Sequence, residues 1–378
     1  MKKRLLTVGL LILCLVLAAC TAEDPNNLFE TTAGNPADTT TSAIATTEST
    51  EPSEESKAND FDGSVMFEEG YQYGNMQKNL PPGGFMRLGN MVLFQPIFDN
   101  NFRLYGYDLT TGEIHSYCKD ATCTHRSCPA GAIFANLEVY NGKIYGMNSS
   151  NKLVVIDGET AEILKDVGNI GNFFHHNDKL YIRTPDSSLV VLEEGSSTPD
   201  IILEEYVGFW HVIYGDYLYA NTSDNIIRVN LSADEPKEEI VVTNAGGIKE
   251  AQHIYYVDFE TYYLYRCNLD GTDPRLLVDE PVLEASMNFD DEYFYFRYYP
   301  GMSLYEGDKC HDVYRFPKDD PTQVEKIATL PEAAYQVYTV PGTGKIFVTT
   351  IAAAGEERPI YVMNTDGSNI TRLEIPEY

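Results

Sequence analysis

Four soft side chains crowd into eleven residues of this chain: Cys118, Cys123, His125 and Cys128, within Cys118-Lys119-Asp120-Ala121-Thr122-Cys123-Thr124-His125-Arg126-Ser127-Cys128. Three thiolates and one imidazole can close a tetrahedral Zn²⁺ site, and a loop without a core of its own gains order from such a structural metal. The spacing C-x4-C-x-H-x2-C differs from the separations of the common zinc fingers and ribbons. A disulfide among these cysteines competes with metal, because thiols outside the cytoplasm can meet oxidising conditions. Cys267 and Cys310 bring the cysteines after residue 20 to five, so at least one must stay reduced, bind metal or pair between chains. On the residues alone metal, disulfide and free thiol all stay open. Cys267, which follows Tyr265-Arg266, reads as a small buried hydrophobe, and Cys310-His311 as a loop pair.

Other chemistry is thinly signalled. The chain has no G-x-S-x-G elbow, no H-E-x-x-H helix, no phosphate loop and no dinucleotide fingerprint. The carboxylate pairs Glu193-Glu194, Glu204-Glu205 and Asp290-Asp291 read as solvated turns. His175-His176 reads as the end of a strand. Trp210-His211 and the run Tyr293 to Tyr299 fit core packing, or a stacking platform for sugar or peptide if they are exposed.

The elements that would position these residues are β-strands. There are 27 Tyr and 17 Phe against one Trp, and aromatic side chains suit pleated, half-buried surfaces. A unit recurs: a turn pair, a linking residue, then an aliphatic (once aromatic) residue followed directly by an aromatic. Its seven copies are Leu93-Phe94, Ile144-Tyr145, Leu180-Tyr181, Leu218-Tyr219, Ile254-Tyr255, Phe294-Tyr295 and Ile346-Phe347, with steps of 51, 36, 38, 36, 40 and 52 residues. Periods near 40 residues are those of propeller blades. Strands such as Tyr293-Phe294-Tyr295-Phe296 lack the oily-polar alternation of a sheet with one wet face, as expected when neighbours cover both faces. The reading is an all-β, β-propeller fold of seven blades, although six blades and a capping element also fit the count.

Two segments carry a family resemblance. Ile360-Tyr361-Val362-Met363-Asn364-Thr365-Asp366-Gly367-Ser368-Asn369-Ile370-Thr371-Arg372-Leu373 resembles the repeat of TolB-type propellers, and Leu264-Tyr265-Arg266-Cys267-Asn268-Leu269-Asp270-Gly271-Thr272 resembles the related YWTD-type repeat. In both, Asp-Gly makes a tight turn and the preceding apolar residues fill the space between blades.

The amino terminus sets an address. Lys2-Lys3-Arg4, an apolar run from Leu5 to Ala19, and Leu17-Ala18-Ala19-Cys20 read as a cleavable export signal, too short for a comfortable membrane span. The last four residues resemble the lipobox of bacterial lipoproteins. That resemblance implies a diacylglycerol on Cys20, removal of residues 1–19 and attachment to the membrane surface. Residues 20–60, with nine Thr after Cys20 and one Lys, cannot bury enough to fold and read as a disordered Thr/Ser/Glu-rich linker reaching about 35 Å. Residues 61–378 form the propeller. As a whole the chain resembles the lipid-anchored extracellular propellers of Gram-positive bacteria.

The formal charge is −30, and near −33 once the three leader cations are gone. With no Lys/Arg cluster after residue 4, a nucleic-acid partner is disfavoured. The expectation is an extracytoplasmic, non-catalytic binding module for protein, peptide or glycan partners. A propeller-hosted enzyme, either a glycan hydrolase or lyase or a quinone-dependent dehydrogenase, is the alternative class, and an envelope assembly scaffold is a third. A structural zinc is the one cofactor the residues themselves suggest, and any other stays open.

Overall fold

The computed structural model describes most of residues 84–376, and before them only the strands Met66–Glu68 and Tyr71–Gln72. Within 84–376 it leaves out short stretches, of which 97–102, 119–127, 302–306 and 352–357 are the longest. The expected signal segment (1–19), Cys20 and the expected linker (20–60) lie outside the described residues. Among the described residues no helix is long and apolar enough to cross a membrane.

Among the described residues the chain builds seven antiparallel sheets, each with a core of four strands taken in sequence order. The first, blade one, comprises Phe85–Leu88, Met91–Phe94, Tyr105–Asp108 and Ile114–Ser116. The last, blade seven, comprises Ala333–Thr339, Lys345–Ile351, Ile360–Asn364 and Thr371–Arg372. First strands of neighbouring blades, such as Ala135–Tyr140 of blade two and Asn172–His176 of blade three, approach one another and so lie nearest the ring axis. Short turns suit the step from first to second strand. Asn141-Gly142 and Asn177-Asp178 hold positive φ at both positions, as a two-residue turn matched to strand twist requires.

The ring closes because every blade buries apolar side chains on both faces. Phe85, Phe94 and Tyr105 of blade one share a core with Tyr338, Phe347 and Val362 of blade seven. Its other face packs Leu93 against Leu137, Ile144 and Ile156 of blade two. The same exchange repeats around the circle, with Leu180 facing blade two and Tyr181 facing blade four. Ile254 and Tyr255 likewise face blades four and six. The recurring pair is therefore a two-sided wedge at the second strand. In blade one the structurally equivalent pair is Val92-Leu93, one residue before Leu93-Phe94: Val92 faces blade seven and Leu93 faces blade two. Each fully buried Leu or Phe contributes about 1.5–3 kcal/mol, so the ring rests on many modest terms.

Polar clips join the outer parts of the blades. Arg228, Arg266 and Arg315 lie directly across from the wedge aromatics Tyr219, Tyr255 and Tyr295. Arg266 Nη1 donates to Lys318 O on blade six at 3.3 Å, and Arg315 Nη1 donates to Thr365 O on blade seven at 2.6 Å. Arg228 and Arg315 also lie over the rings of Tyr217 and Tyr293, at 5.0 and 3.9 Å. The Asp-Gly turns complete the joint. Gly271 and Gly367 hold φ of +82° and +81°, and a Cβ there would meet Val241 O and Ile327 O of the preceding blade at 2.3 and 2.0 Å.

Candidate functional site

Because each blade is antiparallel, the connections from second to third strand and from one blade to the next leave at one end of the ring. Turns from first to second and from third to fourth strand leave at the other. The long connections 95–104, 117–134, 297–311 and 352–359 therefore all belong to the first end, the loop-bearing face. Cys118 and Cys128 stand half-buried in the connection from blade one to blade two. Cys123 and His125 lie outside the described residues. Among the described residues no group of three His, Cys, Asp or Glu side chains is placed to hold a metal ion.

Several of the remaining sequence candidates have structural occupations. Cys267 is buried in the core between blades four and five, and burial pushes its thiol up to about 12. His311 Nδ1 lies 3.1 Å from Leu330 O. Asp290 Oδ1 accepts the Glu292 and Tyr293 amides at 2.9 and 2.6 Å, while its Oδ2 accepts the Tyr295 hydroxyl at 2.6 Å. It is a turn-former. His211 is fully buried between the rings of Phe174 and Tyr206.

One buried pair escaped the sequence reading. Glu138, on the first strand of blade two, receives the His175 imidazole Nδ1 at 2.8 Å on Oε2 and the His175 amide at 3.1 Å on Oε1. Their side chains are 4% and 8% exposed, so the pair sits in a low-dielectric site. The Tyr140 ring stacks on His175 at 4.6 Å and 10°, and Tyr145 closes the other approach at 4.3 Å. Tyr140 in turn donates its hydroxyl to Asp178 at 2.9 Å and accepts the Asp178 amide at 3.0 Å. Glu138 thus spends both oxygens joining two blades. Spacing held a clue: the two residues lie 37 apart, close to one repeat, on strands nearest the axis.

The axis carries a second occupant. Tyr71 pairs with Tyr214, the last residue of the first strand of blade four, and Met66–Glu68 pairs in turn with Tyr71–Gln72. The chain's own hairpin therefore extends blade four on its axial edge, to six strands.

A concave site lies instead at the periphery, along the outer edge between blades three and four. It is a groove of about 520 Å³. Its floor is Tyr181, Val191, Ile202, Leu203 and Leu231, continuous with the core between the two blades. Lys179, Glu204, Asp234 and Glu235 stand around it. Lys179 Nζ is held 2.9 Å from Glu193 Oε1, which keeps the ammonium above its ordinary pKa, and Lys237 lies 3.2 Å from Glu235. Burial raises the Tyr181 phenol. With both lysines already paired, the rim charge of Glu204 and Asp234, which have no cationic partner among the described residues, is negative. Ile201, on the outermost strand Asp200–Leu203, is 63% exposed at the lip. An outermost strand also offers unpaired backbone groups.

No family model matches the chain, and no curated protein matches it. Solved structures do. The GH74 xyloglucanase from Xanthomonas campestris is 13% identical with a TM-score of 0.45, covering 62% of this chain, which spans 43% of that enzyme. BamB from Moraxella catarrhalis is 12% identical with a TM-score of 0.40, covering 71% of this chain and 79% of its own. A putative TolB from Agrobacterium tumefaciens is 14% identical with a TM-score of 0.36, covering 52% and 76%. At these identities the likeness is one of fold alone.

Proposed function

We propose that this chain is an exported, lipid-anchored propeller that binds a partner through the groove between blades three and four, the partner being a cationic peptide segment with an aliphatic anchor. The observation that carries the reading is the pairing of an apolar floor with an acidic rim beside an exposed strand edge. An aliphatic side chain would bury itself against Tyr181, Val191 and Leu203. Lys or Arg on either side would meet Glu204 and Asp234, while the backbone of Asp200–Leu203 could add a strand. The surrounding charge of −30 would speed the approach of such a segment and make it salt-dependent. Cys20 supplies the anchor in this reading and residues 21–60 the reach. An enzymatic role gains no support from Glu138, whose oxygens are engaged by His175.

Selection of a random peptide library on the full-length chain tests the proposal. Enriched peptides should carry Lys or Arg flanking one aliphatic residue, and should lose affinity about tenfold or more on the double substitution Glu204→Lys, Asp234→Lys. Enrichment without that composition, or binding indifferent to those substitutions, contradicts it. The intact mass of membrane-extracted protein tests the anchor: a chain beginning at Cys20 with a diacylglycerol is expected, and an unprocessed amino terminus would contradict it.

A further inference from the structure

The loop-bearing face presents an aromatic pair between blades five and six, one member of which has a strained backbone. Tyr262 lies between the second and third strands of blade five, and Tyr299 in the corresponding connection of blade six. Their ring centroids are 5.3 Å apart with planes at 51°. Tyr262 is 40% exposed and holds a φ of +60°, a region that bulky L residues avoid. Its backbone is fixed there from both sides. The Tyr262 amide donates to Asp258 O at 2.7 Å, and Tyr262 O accepts the Val282 amide at 2.8 Å. The Tyr299 amide is fixed to Pro281 O at 2.7 Å.

Glycine would satisfy that turn without strain, and an exposed ring adds little to the core. The position therefore keeps an aromatic face outward against its local backbone preference, the pattern found where strain serves a ligand. Neighbouring tyrosines already have internal cations: Lys309 Nζ stands 4.4 Å from the Tyr298 ring and is paired with Glu280. Among the described residues no cation lies over Tyr262 or Tyr299. Carboxylates lie in the turn of Tyr262 and beside Tyr298, the chain neighbour of Tyr299. Glu260 is exposed in the same turn as Tyr262, and Glu280 and Asp279, after burial, raise the phenol of adjacent Tyr298.

A sugar ring offers the matching chemistry, with a C–H face to lie on an aromatic ring and hydroxyls to donate to carboxylates. The acidic surroundings oppose an anionic polymer. We propose that Tyr262 and Tyr299 form a stacking platform for a neutral oligosaccharide on the loop-bearing face. This site is independent of the groove, and either can fail without the other.

Calorimetric titration of the full-length chain with cellohexaose, xylohexaose and chitohexaose tests it. At least one should bind saturably. Y262A and Y299A should each weaken that binding about tenfold, whereas Y262F, which keeps the ring, should bind as the parent does. Y262G should abolish binding with an unfolding midpoint unchanged or raised, which separates loss of the platform from loss of the fold. No saturable heat with any of the three sugars, or undiminished binding by Y262A, overturns the proposal.

Discussion

At the scale of single residues, the Glu138–His175 pair joins the first strands of blades two and three through buried polar groups. Two groups removed from water are tolerable only because each satisfies the other and the carboxylate also caps the His175 amide. Removing one partner should therefore be harsher than removing both. Glu138→Ala is expected to cost about 3–5 kcal/mol in denaturant unfolding, while a double replacement by apolar residues of similar volume should recover much of that loss. Equal losses for the single and double variants would show that the pair is not coupled. The sequence disclosed His175 as a strand residue but not its partner. Such a pairing depends on which strands converge on the axis, and local pattern does not report that. Asp290 was legible for the opposite reason, since its partners lie within five residues.

At the scale of elements, the joint between blades is a turn as well as a core. Asp270-Gly271 and Asp366-Gly367 were readable as tight turns, because Asp-Gly serves positive φ wherever it occurs. Their close approach to the outer strand of the preceding blade was not readable, since Val241 and Ile327 stand 30 and 40 residues upstream. Gly367→Ala meets both constraints together, and its left-handed φ alone costs about 1–2 kcal/mol. The unfolding midpoint of that variant should fall, and further than for Ala at Gly168, whose φ is +68° but whose Cβ direction is open. Similar losses at the two sites would mean that only φ matters. The one-residue offset of the wedge in blade one has a related cause. Val92, Leu93 and Phe94 are all buried, so apolar pattern alone does not fix which two form the equivalent pair.

At the scale of the whole molecule, seven blades make a closed ring only if the last sheet covers the first. Phe85 does this work visibly, its ring 4.7 Å from Phe347 and 4.8 Å from Tyr338 on blade seven. Phe347→Ala should cost about 3–5 kcal/mol and lower the unfolding midpoint of the whole ring in one cooperative transition. Early melting of blade seven alone would contradict closure as a shared constraint. The period of the chain made this architecture legible before any contact was known. The groove was not legible: its floor joins side chains of blade three to Leu231 of blade four, its acidic hairpin comes from blade four, and the composition of each looks like ordinary surface. That groove carries the functional account. Hydrogen–deuterium exchange of the full-length chain, with and without a saturating Lys/Arg-flanked aliphatic peptide, tests it most directly. Added protection is expected at Asp200–Leu203 and residues 231–236. Protection confined to the axial strands, or absent at both segments, would contradict the account.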